Sequence, residues 1–250
     1  MNWVKDFYQK QYKWMDSTSE EKDHFELQVE RIDTLKSYSN STNQTILELG
    51  AGEGYFAIAA AQAGYNITVI ELIPEAVNTI KHLVQKYKVK DKVTVIEGDF
   101  YEVKLDRKFD IIFYWDGFGI GEDEDQIRLL SRIKEWMQPS GVVMIDIYTP
   151  WYWAKANGER MKLPKIEREY GFNAFNCRMI DTWWPLNQEE RKVTQSLRCY
   201  SPADLKLLLK EVDLQLITCE PGGSFDYDSW VYIKKAPLHQ CMNYLATITL

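Results

Sequence analysis

Apolar positions along this chain recur with two different periods, and the switches between those periods outline its elements. Trp3, Phe7 and Trp14 fall at helical spacing with Tyr8 and Tyr12 beside them, which predicts an amphipathic helix at the start. After a break at Ser17-Thr18-Ser19, Ser17/Glu20 and Thr18/Glu21 fit capping boxes, and Phe25, Val29 and Ile32 form the apolar stripe of a second helix. The polar tract 37–44 reads as a linker. Short apolar runs then alternate with helical patterns. A first strand ends near Leu49, and an Ala-rich helix over 56–63 stops at Gly64. A second run ends at Val69-Ile70-Glu71-Leu72, and a helix follows with Pro74 in its first turn and Val77, Ile80 and Val84 inward. Strands over 93–97 and 109–116, a helix marked by Leu129, Ile133 and Trp136 and closed by Pro139, and a strand over 142–148 complete the series. Residues 101–108 are too few for a crossover helix and predict a turn or irregular chain. Such alternation argues for a mostly parallel sheet with helices on both faces.

Residues 149–200 break the pattern. Segments 177–184 and 192–200 read as two strands joined by 185–190, an antiparallel ribbon inserted after the fifth strand. This insert holds Trp151, Tyr152, Trp153, Tyr170, Trp183, Trp184 and Tyr200. A last helix begins at Ser201-Pro202 with Leu205, Leu208 and Val212 inward, and two late strands, 214–219 and 230–234, flank Pro221-Gly222-Gly223. The tail 237–250 fits no element. The chain therefore divides into N-terminal helices (1–44), a core (45–148), the insert (149–200), the end of the core (201–236) and the tail (237–250).

Composition narrows the class. With 250 residues, 45% hydrophobic and 27% charged, the chain has enough apolar content for one sizeable core. A net charge of −7 and a pI near 5.2 disfavour a nucleic-acid partner, which needs a basic surface. Cys177, Cys199, Cys219 and Cys241 have no C-x-x-C pair and read as reduced structural residues. His24, His82 and His239 show no metal-ligand spacing, and the run Glu122-Asp123-Glu124-Asp125 suits a first helical turn better than a metal. No apolar run is long enough to span a membrane and no signal layout opens the chain, so a cytoplasmic protein is expected.

The chemistry concentrates in Thr45-Ile46-Leu47-Glu48-Leu49-Gly50-Ala51-Gly52-Glu53-Gly54-Tyr55-Phe56. Glycines at a strand–helix turn let a ligand approach the backbone, and the helix start behind them favours an anionic group. A dinucleotide turn expects G-x-G-x-x-G, but the spacing here is G-x-G-x-G, with Tyr55 where the third glycine would fall. Glu48-x-Gly50-x-Gly52-x-Gly54 instead resembles the first motif of the class I S-adenosylmethionine (SAM) methyltransferases. Glu71, Gly98-Asp99-Phe100, the run 109–116 and Met137-Gln138-Pro139-Ser140-Gly141 are similar to that family's later motifs, in order and each at a predicted strand end. The last departs from the family's L-x-P-G-G by a serine. The likeness is good over 45–148 and holds elsewhere in outline.

The resemblance implies a doubly wound, mostly parallel seven-stranded α/β sheet (a Rossmann-like methyltransferase fold), with the antiparallel insert and an N-terminal helical lid. In such a fold one of the two late strands would be an antiparallel seventh strand inside the sheet. SAM is the implied cofactor and S-adenosylhomocysteine (SAH) the product. The implied binding set is Glu48, Gly50, Ala51, Gly52 and Gly54 at the loop, Glu71 on the ribose with Leu72 beside it, Asp99 at the adenine amine with Phe100, and Trp115. Tyr12 and Trp14 are expected as lid residues and Asp116 as the group that orients or deprotonates an acceptor. Tyr148, Trp151 and Trp153 are expected to wall the acceptor pocket, since aromatic rings suit a cationic amine or a flat apolar molecule. No Asn-Pro-Pro-Tyr and no Pro-Cys is present, so the residues point to simple N- or O-methylation of a small molecule. Peptide or protein methylation and non-catalytic SAM binding stay open beside it. A nicotinamide-dependent dehydrogenase is a distant rival, and a homodimer is compatible with all of these.

Overall fold

The computed structural model describes residues 2–15, 21–39 and 41–250, so the two capping boxes expected between Ser17 and Glu21 lie outside the described residues or span them. The central sheet takes β1 (Thr45–Leu49), β2 (Asn66–Glu71), β3 (Val93–Glu97), β4 (Phe109–Tyr114), β5 (Met137–Tyr148), β10 (Gln215–Pro221) and β13 (Asn243–Thr249). Their order is β10-β13-β5-β4-β1-β2-β3. The first five pair in parallel, and β13 runs antiparallel between β5 and β10. The chain winds outward from β1 through β2 to β3, then crosses back to place β4 on the other side of β1. That reversal opens a crevice at the carboxyl ends of β1 and β4, where open α/β sheets bind ligands.

Period-2 alternation assigns each strand residue to one of two cores. Leu47, Leu49, Ile112 and Ile145 face α6 (Asp123–Trp136) and α8 (Pro202–Glu211), which bury Leu129, Ile133, Leu205 and Leu209. Ile46, Ile111, Phe113 and Met144 face α3 (Val29–Tyr38), α4 (Tyr55–Gln62) and α5 (Pro74–Lys86), which bury Leu35, Phe56, Ala60, Ile80 and Leu83. Ser201 caps α8 in a capping box with Asp204.

Four expectations need correction. The antiparallel strand inside the sheet comes from the tail, not from the segment at 230–234. Tyr244, Ala246 and Ile248 are fully buried on one face of β13, which anchors it between β5 and β10. The 230–234 segment instead forms β12 (Val231–Ile233), which pairs with β11 (Ser224–Asp226) in a hairpin whose Val231, Tyr232 and Ile233 are exposed. The insert is a four-stranded sheet rather than a two-stranded ribbon. Its order is β6 (Arg160–Lys162), β7 (Ile166–Asn173), β8 (Arg178–Pro185) and β9 (Val193–Arg198), preceded by the short helix α7 (Pro150–Lys155). The charged alternation Glu167-Arg168-Glu169 hides β7 from an apolar-run reading. Finally, the N-terminus forms α1 (Asn2–Met15), α2 (Glu21–Glu26) and α3, and Val29 is exposed while Ile32 and Leu35 carry the buried stripe. Among the described residues no helix is long and apolar enough to cross a membrane.

Candidate active site

The turn after β1 owes its shape to three glycines in the left-handed region: Gly50 at φ +60°, Gly52 at φ +57° and Gly54 at φ +81°. Side chains rarely adopt this conformation, and at Gly54 space forbids them as well. A Cβ on Gly52 would lie 3.3 Å from the Tyr12 hydroxyl, and one on Gly54 would lie 2.6 Å from Ile80 Cγ1. Glu71, at the end of β2, locks the turn from the neighbouring strand. Its Oε2 accepts from Gly52 N–H and its Oε1 from Ile73 N–H, both at 2.8 Å. The Asp99 carboxylate accepts from Tyr101 N–H at 2.8 Å, which aims the loop after β3 at the same crevice.

A cavity of about 960 Å³ fills that crevice. Glu48, Gly50, Ala51, Gly52, Gly54, Glu71, Leu72, Asp99, Phe100, Trp115, Asp116 and Tyr12 all line it. Trp14 does not: it is buried with Phe7, Ile166, Trp183 and Val193 under the insert. Helical geometry explains the split, because residues two apart on a helix point about 200° away from each other, so Tyr12 and Trp14 cannot share a face. Trp151 and Trp153 are also absent from the lining. Trp153 is buried beside Tyr152 and Tyr170 and donates from Nε1 to the Met242 carbonyl at 3.0 Å, so it packs α7 onto the molecule. Tyr148 reaches the cavity indirectly, its hydroxyl donating to Asp116 Oδ1.

The electrostatics are those of carboxylates enclosed by protein. Glu48 is buried, its Oε2 has no hydrogen-bond partner, and burial pushes its carboxyl up to about 8, offset by Arg31 and reinforced by Glu71. Trp115, buried and stacked 4.9 Å from Phe113, likewise has an unpartnered Nε1. Asp116 follows it in the left-handed region at φ +56°, which aspartate tolerates better than most residues. Solvent reaches Asp116 through the cavity, yet protein encloses it, and that desolvation raises its carboxyl; the Tyr148 hydrogen bond and the Arg31 and Arg168 charges act the other way. Burial also raises the Glu71 carboxyl, against the hydrogen bonds it accepts from Ile73 and Gly52 N–H.

Several lining residues were not anticipated. Arg31 on α3 sits with its guanidinium 4.7 Å from the Trp115 ring centroid, and Tyr8 and Trp183 close the cavity from α1 and β8. These last two hang on one buried acid. Asp181, fully buried on β8, accepts from Arg168 Nε and Nη2 (3.1 and 2.6 Å), Trp183 Nε1 (2.8 Å) and Gln195 Nε2 (2.9 Å). Gln195 in turn accepts from the Tyr8 hydroxyl at 3.3 Å, tying the first helix to the insert across the cavity. The i, i+4 spacing of Tyr8 and Tyr12 is the sequence signal for a shared face. Nothing local marks Arg31 or Asp181.

Known proteins agree with this architecture. A family model described as a methyltransferase domain matches residues 21–219. The cypemycin N-terminal methyltransferase of a Streptomyces species is 26% identical over 127 residues, 50% of this chain and 50% of that protein, so the match spans about half the relative's length. The CcbJ methyltransferase of Streptomyces caelestis superposes with a TM-score of 0.73 at 16% identity, covering 98% of this chain and 95% of the other. The glycopeptide N-methyltransferase MtfA, solved with SAM, superposes at 0.60 and 16% identity over 89% and 86% of the two chains. This chain belongs to the methyltransferase domain family and has the fold of the class I SAM-dependent methyltransferases.

Proposed function

We propose that the protein transfers the methyl group of SAM to a nitrogen or oxygen atom of a small-molecule acceptor. The observation that carries this reading is the pairing, in one cavity, of a glycine cradle with orphaned polar groups and an acidic, tyrosine-lined far wall. The residues fit the cofactor. Glu71 has acceptor capacity left for the ribose hydroxyls and Asp99 for the adenine amine, while the backbone of Gly50, Ala51 and Gly52 leaves room for the methionine part. Arg31 suits a carboxylate, and the unpartnered Glu48 Oε2 suits an ammonium. When bound, SAM supplies an electrophilic methyl on a sulfonium, and the acceptor lone pair takes it to leave SAH. The protein holds the acceptor in line and excludes water, for which α1 and the insert provide the cover. Trp183 takes over the walling role expected of Trp151 and Trp153. Asp116 orients the acceptor or takes its proton, and Tyr148 fixes the Asp116 carboxylate.

Calorimetry with SAM, SAH and NADH tests the cofactor assignment: SAM and SAH bind, NADH does not, and binding of NADH alone overturns it. Conversion of SAM to SAH by the intact protein with a pool of small amines and hydroxyl compounds separates an enzyme from a non-catalytic SAM-binding protein. A peptide acceptor is a second reading, favoured by the likeness to an enzyme whose name specifies a peptide N-terminus. Turnover with peptides and with none of the small compounds would establish that reading.

A further inference from the structure

The far wall carries more negative charge than its fold needs. Trp115 and Asp146 lie one residue beyond the paired Tyr114 and Ile145 of β4 and β5, on the sheet face that α3 covers. Asp146 Oδ1 accepts from Asn243 Nδ2 at 3.2 Å, and its carboxylate interacts with both Arg31 and Asp116. Three acids, Glu48, Asp116 and Asp146, thus share the field of Arg31, and Arg168, itself paired with Asp181, acts on Asp116 as well. The remaining arginines and lysine around the cavity are otherwise engaged or peripheral. Arg168 is held by Asp181, Arg128 pairs with Asp125 at 3.6 Å, and Lys5 is exposed at the rim. Burial disfavours each unpaired carboxylate, raising Asp146 to about 7 as well as Asp116 and Glu48.

A bound SAM reduces this excess only partly. Its sulfonium and ammonium, set against its own carboxylate, bring one net positive charge, while the three acids, when all are ionised, exceed Arg31 by two. The remaining charge falls to Asp116, which lines the cavity, and to Asp146, which interacts with it; it is met either by a proton or by a cation beside Asp116. A neutral hydroxyl acceptor leaves these acids to take up a proton, whereas a cation beside Asp116 lets them stay ionised and gains a charge pair.

We propose that the acceptor is an amine that enters as its ammonium ion, with Asp116 as its counter-ion and proton acceptor and Asp146 as a second acid that deepens the negative field. This rests on the methyltransferase reading and narrows it to N-methylation. Asp116 takes one proton from the ammonium, leaving a neutral amine with a free lone pair and a carboxylic acid; after transfer that proton passes to water. The methylated nitrogen keeps a positive charge. Tyr148 is a positioning residue, holding the Asp116 carboxylate toward the incoming nitrogen.

The test is binding to the SAH-loaded protein near neutral pH, read by ligand-observed NMR with matched probes: phenethylamine, 2-phenylethanol and 3-phenylpropanoate, and hexylamine, hexanol and hexanoate. Each amine is expected to bind about ten-fold tighter than its alcohol, with the carboxylate weakest. Asp116→Asn, which the left-handed backbone accepts, should erase that preference, and Asp146→Asn, which can still meet Asn243, should reduce it. Neither should change SAH affinity by more than about two-fold. Alcohols that bind as well as amines, or no amine binding at all, overturn the proposal. So does a preference that survives Asp116→Asn. Failure to bind SAH would instead overturn the methyltransferase reading, so the two failures are distinct.

Discussion

The two halves of the cavity are built on opposite principles. On the side proposed for the cofactor the geometry is made by backbone: three left-handed glycines, one helix start, and a single side chain, Glu71, locking Gly52 and Ile73 through their N–H groups. On the side proposed for the acceptor it is made by side chains from remote segments, with Tyr8 from α1, Asp116 from the β4 end and Trp183 from the insert lining the same crevice. A backbone site is fixed by a dozen consecutive residues and tolerates little variation. A side-chain site rests on buried polar networks that can be retuned for a new acceptor without disturbing the first half.

If that contrast is right, the largest effect should come from the acid on which the acceptor half hangs. Asp181→Ala leaves the Arg168 guanidinium largely buried without its carboxylate and takes a partner from Trp183 and Gln195. Breaking a buried pair this way costs about 3–5 kcal/mol. Denaturant unfolding should show a loss of that size, with SAH affinity in the surviving folded fraction nearly unchanged. A loss below about 1 kcal/mol would mean that the network is dispensable. A parallel collapse of SAH binding would mean that the halves are not separable.

Glu71→Ala attacks the other half. Loss of a charged acceptor should weaken SAM and SAH by about 1.5–3 kcal/mol. The substitution also strips two backbone N–H groups of their partner, so some stability goes with it. Unchanged SAH affinity in the folded variant would remove Glu71 from the ribose site and leave it a purely structural lock.

How legible each half was follows from the same contrast. The strands of residues 45–114 and the glycine turn were readable because their signals are local: period-2 runs, a Pro at a helix start, a glycine at a helix stop. The tail strand β13 was not, since Tyr244, Ala246 and Ile248 alternate with Leu245 and Thr247 and become a strand only through pairing with β5, about a hundred residues earlier. Similarly, Arg31 looks like any polar residue on α3, and Asp181 like any acid in a strand. Their roles exist only after distant segments meet. Tyr12 and Trp14 show the finer limit, because both were expected over the crevice while helical phase brings only Tyr12 to it.

A smaller effect separates bound from free states of the cofactor half. Glu48 moves from an ordinary 4.5 to about 8, chiefly through burial. Between those values the folded protein keeps a proton that the unfolded chain has released, so stability falls as pH rises through that window, by up to about 1.4 kcal/mol per pH unit. A ligand ammonium beside Glu48 reverses the penalty and expels the proton. SAH affinity should therefore increase as pH approaches 8, with proton release seen by calorimetry in buffers of different ionisation enthalpy. Glu48→Gln should abolish that release. Proton-neutral binding by the wild-type protein would show that Glu48 does not meet the ammonium.

The smallest effect concerns the tether between the halves. The Tyr8 hydroxyl donates to Gln195 at 3.3 Å, a long bond, while Phe7 packs edge-on against Trp183 with ring centroids 6.1 Å apart. The ring packing holds α1 to the insert, and the hydroxyl sets where along the insert it rests. Tyr8→Phe keeps the packing and removes the bond, so it should cost only about 0.5–1.5 kcal/mol. Global unfolding will barely register this. Hydrogen exchange of the α1 amides should, because the free energy of local opening falls by the full amount while the rest of the fold is untouched. Exchange in α1 should accelerate by about two- to ten-fold with no change in β1 or β4. Unaltered exchange in α1 would mean that ring packing alone positions the lid, and that the acceptor half is closed by apolar contact rather than by the Asp181 network.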